Sequence, residues 1–190
     1  GQVRAQARRE VVISGKRVKT VDVHAHCIVP EAAQLINHSL EAPGLLWSNA
    51  SDRLAQMDQT GVDVQALSIN PYWYRAERDA VAELIRVQNE ALAEFCASDQ
   101  DRFVAFATAA LQYPDLAAQQ VEQAVKTFGF RGIGVGGSVA GEELANPKFH
   151  PFWAKCEELG VLVFMHPLGT RELEPSGRLA GNGLLTNTIG

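Results

Sequence analysis

The chain has 190 residues, 46% of them hydrophobic, and a formal net charge of −5. It can bury one core, and an acidic chain with no basic cluster excludes nucleic acid and anionic membrane surfaces as partners. No apolar run approaches the roughly 20 residues of a membrane span, and the three cysteines, Cys27, Cys96 and Cys156, are too scattered for a disulfide framework, which suits a reducing, cytoplasmic compartment.

Residues 1–18 read as an N-terminal extension. Gly1 to Arg9 is polar and basic, lacks an initiating Met and has no apolar stretch, as in an added sequence or the stub left by a removed export signal. Lys19 to His26 then reads as a strand ending in Val-Asp-Val-His24-Ala-His26-Cys. Side chains at i and i+2 of a strand share a face, so His24 and His26 project together while Val23 and Ala25 face away. By the same count Asp22 lies one step deeper on the His24 face, placed to orient an imidazole, and Cys27 turns into the core.

Ser51-Asp52 offers helix caps ahead of Leu54 and Met57, and Gly61 stops that helix. Val62 to Ile69 is a β-branched run broken at Asn70-Pro71. Glu77 to Ala97 carries Val81, Leu84, Ile85, Leu92 and Phe95 on one helical face. Phe103 to Thr108 is a third strand. Pro114-Asp115 opens a helix with an Ala117, Val121, Ala124, Val125, Phe128 stripe, ended by Gly129. Phe130 to Val135 is a fourth strand, running into Gly136-Gly137-Ser138. A helix over 147–159 buries Phe149, Phe152, Trp153 and Cys156 and stops at Gly160. Val161 to Met165 is a fifth strand, followed directly by His166.

Strands alternating with helices imply right-handed crossovers and a parallel sheet. A doubly wound sheet would want a glycine-rich phosphate turn after its first strand; here that strand ends in His-Ala-His-Cys. The α/β fold expected is therefore a (β/α)8 TIM barrel, in which functional groups gather at the C-terminal strand ends. Only about the first five βα units are visible where eight take about 250 residues. Residues 19–190 thus read as the N-terminal part of a barrel. The expected partner is the remainder of its own chain, with self-association into a homodimer left open. The uncovered apolar face is expected to include Leu67, Ile69 and Val163.

Paired imidazoles on one strand end, joined by His166 on another, suit a divalent metal. Zn²⁺ is the first choice and Mn²⁺ the alternative, since imidazole serves several first-row ions. Around this centre, Tyr72 and Trp73 either stack on a planar substrate or pack as a loop over the barrel mouth. Gly136-Gly137-Ser138 is either an anion cradle or a tight turn. Arg171 and Arg178 either reach a substrate carboxylate or are solvated. His38 and His150 read as surface residues.

The segments Val21 to Pro30, Gln56 to Gln65, Asp101-Arg102-Phe103, Gly129 to Ile133 and Phe164-Met165-His166-Pro167 resemble the decarboxylase branch of the amidohydrolase superfamily, the branch of aminocarboxymuconate semialdehyde decarboxylase. The resemblance implies that His24, His26 and His166 are metal ligands. It also implies an acid–base His on strand six and a ligand Asp on strand eight, and this sequence contains neither position. Residues 30–48, where the resemblance places a carboxylate-binding arginine, contain no arginine. The implied activity is a metal-dependent decarboxylation of an aromatic or unsaturated acid, aided by a metal-bound water. The alternatives are metal-dependent hydrolysis of a lactone, ester or amide, and an inactive fragment that keeps a metal half-site.

Overall fold

The computed structural model describes residues 8–39 and 49–167; Arg171 and Arg178 lie outside them. The chain opens with a short antiparallel hairpin, β1 (Val12–Ile13) and β2 (Lys16–Arg17). Its two-residue connection is Ser14-Gly15, both at positive φ, as a tight hairpin turn requires.

The central sheet is five-stranded and parallel throughout, in the order β3 (Val21–His26), β4 (Val64–Ser68), β5 (Phe103–Ala107), β6 (Gly132–Gly136) and β9 (Leu162–His166). Helices α1 (Pro30–Gln34) and α2 (Ala50–Thr60) follow β3. Helix α3 (Arg78–Ala97) follows β4, and α4 (Pro114–Phe128) follows β5. A small antiparallel pair, β7 (Ser138–Val139) and β8 (Glu142–Glu143), leads through a 3₁₀ turn into α5 (His150–Leu159).

The helix stops are as expected: Gly61 ends α2 in the left-handed region at φ 81°, and Gly129 and Gly160 do the same for α4 and α5. One cap differs. Asn49, two residues upstream of Ser51, accepts from the Asp52 N–H at 2.9 Å, so it takes the role given to Ser51-Asp52. The predicted stripe of α3 is buried in full.

The faces of the strands fall differently from expectation. Leu67 and Ile69 are buried, because Leu67 shares its register with Ala25 and Ala105 on the side that the helices cover. The residues left uncovered are Val104 and Leu162, with Val21, Val23 and Met165 on the two edge strands. Facing away from the helices, the rings of Phe106 on β5 and Phe164 on β9 stack in parallel, 4.7 Å apart. They belong to strands that flank β6, and they meet because Gly132 and Gly134 of β6 carry no side chains. A Cβ built on Gly132 would lie 2.4 Å from the Phe106 ring.

The hairpin is tied to the sheet by charge. Asp63, at the N-terminal end of β4, has its carboxylate buried against Arg8, Arg17 and the Thr20 N–H, the last at 2.7 Å. Bonding from the Arg17 guanidinium first, and from the Thr20 N–H second, holds the Asp63 carboxyl down at about 2. An ordinary Asp titrates near 3.9, so the folded state binds this proton less readily than the unfolded chain. The stabilisation from this cluster is therefore complete above pH ~4 and is lost as pH falls toward 2. The expected result is an acid-side fall in melting temperature that is much reduced in an Asp63→Asn variant, read by thermal unfolding of the full-length protein across pH.

Candidate metal centre

The two edge strands of the sheet supply the imidazoles. Strands spaced ~4.8 Å apart would put β3 and β9 nearly 20 Å apart in a flat sheet. Instead the Nε2 of His166 lies 2.8 Å from that of His24 and 3.1 Å from that of His26. The sheet curls until its first and last strands face each other across the hollow side, as an arc of a barrel does, and the C-terminal strand ends converge there.

The three histidines are the group among the described residues that could hold a metal ion. Burial first, and then the charges of His166 and His24, push the His26 imidazole down to about 4, so it stays neutral and keeps a lone pair at neutral pH. Its other nitrogen, Nδ1, lies 3.4 Å from the hydroxyl of Ser68 at the end of β4. Phe164 meets the His24 ring edge-on at 6.0 Å and closes the apolar floor below.

A bulge in β3 sets this arrangement. Asp22 pairs with Gln65 and Ala25 with Leu67, three residues against two. Asp22 therefore aligns with the helix-facing side and leaves the His24 face. Its carboxylate accepts from the main-chain N–H of His24 at 3.1 Å and from the Gln65 amide at 3.2 Å. It steadies the main chain rather than an imidazole, which corrects the role read from strict alternation.

The other candidates separate. Trp73 is fully buried, and its indole N–H donates to the Ala109 carbonyl at 3.0 Å, so it is a core residue and offers no stacking face. Tyr72 is half-buried. It lies flat on the His38 ring at 4.1 Å, accepts from the Gln88 amide, and lines a cleft of about 670 Å³ with Arg75 and Glu77. His38 is thus a stacking partner more than a surface residue, while His150 is exposed. The Gly136 N–H donates to the buried Tyr74 hydroxyl at 3.0 Å, which removes it from any anion cradle. Cys27 is buried and its thiol is pushed up to about 12 by that burial.

Sequence reasoning missed Ser68, Arg53 and the Phe106–Phe164 floor. The polar Ser68 ending an otherwise apolar strand was the available signal for the first; nothing local marks the other two.

The profile of the amidohydrolase family matches residues 21–185. The gamma-resorcylate decarboxylase of Rhizobium radiobacter is 34% identical over 163 residues, a match covering 77% of this chain and 49% of the relative. The 2-amino-3-carboxymuconate-6-semialdehyde decarboxylase of Dictyostelium discoideum is 28% identical over 117 residues, covering 60% and 33%. Among solved structures, the dihydroxybenzoic acid decarboxylase of Polaromonas sp. JS666, with bound manganese and the inhibitor 2-nitroresorcinol, superposes with a TM-score of 0.71 at 25% identity. That match covers 88% of this chain and 54% of the other. The chain spans about half the length of the curated relatives it matches.

Proposed function

Because the chain belongs to the amidohydrolase family, we propose that it supplies the three-imidazole side of a divalent-metal site in a carboxy-lyase acting on an aromatic or unsaturated carboxylic acid. One observation carries this: the His166 Nε2 makes two short contacts, to the Nε2 atoms of His24 and His26. An imidazole nitrogen presents one proton or one lone pair, so a hydrogen bond accounts for one of the contacts and a shared cation for both. The ligand nitrogens of all three histidines lie within 4.8 Å of one another, close enough to share one ion, so the donor set fits.

His24, His26 and His166 are the proposed ligands. When bound, the metal would supply Lewis-acid polarisation of a substrate oxygen. Mn²⁺ is taken ahead of Zn²⁺, because the related Polaromonas structure holds manganese. The chain's own residues bind and orient. The Ser68 hydroxyl, 3.4 Å from His26 Nδ1, is placed to accept from an Nδ1–H when Nε2 is the ligand atom. Phe106 and Phe164 exclude water beneath the site. Tyr72 and Arg171 are proposed as substrate contacts, the ring for the planar acid and the guanidinium for its carboxylate. In the reaction the bond from ring or chain carbon to the carboxylate breaks, its electron pair stays on carbon, and carbon dioxide leaves. A proton then takes its place on that carbon, from an acid proposed to lie beyond residue 190.

The lyase reading is favoured over hydrolysis because the named relatives are decarboxylases. The test is the full-length protein, stripped of metal, reloaded with Mn²⁺ or Zn²⁺ and offered gamma-resorcylate, other hydroxybenzoates and muconate-like acids. Metal-dependent release of carbon dioxide, restored best by Mn²⁺, is the expected result. Hydrolysis of lactones or esters with no carbon dioxide from any acid would overturn the reading.

A further inference from the structure

The β3 bulge interrupts the ladder between Asp22 and Ala25, and side chains bond the main chain of both proposed ligand residues. On helix α2, Arg53 donates from Nη2 to the His26 carbonyl at 2.7 Å and from Nη1 to the Gln65 side-chain oxygen at 3.3 Å. The Gln65 amide donates to Asp22 at 3.2 Å, and Asp22 in turn accepts from the His24 N–H at 3.1 Å. One guanidinium thus holds the main chain of His26 directly and that of His24 through two relays. Its planar fork is what allows the two bonds at once; the single ammonium of Lys cannot hold both directions in the same fixed geometry.

We infer that Arg53 is a positioning residue for the metal centre: it fixes the spacing of the His24 and His26 imidazoles through their main chains and thereby sets metal affinity. This rests on the metal-site reading above. It also explains how a bulged edge strand, which loses ladder bonds where rigidity matters most, presents two ligands at one point.

The test measures Mn²⁺ affinity of the full-length protein by the electron paramagnetic resonance signal of free Mn²⁺, with thermal unfolding in parallel. Arg53→Met is expected to weaken Mn²⁺ binding about 10- to 100-fold, the usual cost of losing a partner behind the ligands. Arg53→Lys should recover part of that, through the His26 carbonyl alone. Gln65→Leu, which cuts the relay to Asp22 and keeps the His26 bond, should give a smaller loss. Met57→Ala, in the buried side of the same helix, is the control for general destabilisation and should leave affinity unchanged.

Wild-type affinity in Arg53→Met overturns the inference, as does an equal loss in Met57→Ala. If Arg53→Met does not fold, unchanged affinity in Gln65→Leu overturns it instead. A wild-type protein that binds no Mn²⁺ strikes the metal-site reading itself, a separate and recognisable failure.

Discussion

Replacing His166 with alanine in the full-length protein is expected to abolish bound metal and decarboxylation together while leaving the fold intact. His166 makes both of the short contacts that define the cluster. Its removal leaves, among the described residues of the cluster, two imidazoles on a single strand. Losing a partner behind a ligand already costs about 10- to 100-fold in metal affinity, so losing the ligand should cost more than 100-fold. His24→Ala should behave alike, since it removes one of the same contacts. The fold should survive because these side chains sit at the strand ends on the hollow side, clear of the core under the helices. Metal content by atomic spectroscopy, turnover and melting temperature form the check. A His166→Ala protein that loses its metal and still releases carbon dioxide would end the metal-assisted reading.

The order of strands and helices was legible because each boundary has its own local chemistry. Gly61, Gly129 and Gly160 stop helices in a conformation that glycine adopts freely. The stripe of α3 repeats every three or four residues, and its burial follows. The histidines were legible because two side chains of one kind, two apart at a strand end, are unusual, and the bulge happens to preserve their shared side.

The same bulge explains what failed. Strict alternation cannot reveal an extra residue between Asp22 and Ala25, so Asp22 was put on the wrong face. Trp73 follows a strand end, a position that left stacking on a substrate and packing over the mouth both open. It is fully buried in the core, where its indole N–H is satisfied by the Ala109 carbonyl 36 residues away, a pairing that no local pattern announces. Arg53 sits in an unremarkable helix and matters only once α2 docks beside the last carbonyl of β3. The signals that were missed are those between elements.

The second large effect concerns a polypeptide limited to residues 1–190, which is expected to self-associate and to bind Mn²⁺ poorly. Both edges of the sheet are parallel strands with apolar side chains: Val21 and Val23 on β3 and Leu162 and Met165 on β9 are each more than half exposed. Soluble proteins guard such edges with charges, prolines or covering segments. The bulge in β3 offers some protection by interrupting its ladder; β9 runs five residues in unbroken register with β6 and has no such interruption. Inside the arc, Val104 and Leu162 face the hollow with no layer of described residues over them. Light scattering should give a mass above the 20.6 kDa of one chain. Val23→Lys together with Met165→Lys should shift the population toward monomer, because a charge on each edge opposes strand addition without touching an imidazole. A soluble monomer of residues 1–190 that binds Mn²⁺ tightly and turns over an aromatic acid would show that neither edge needs a partner and that three imidazoles suffice.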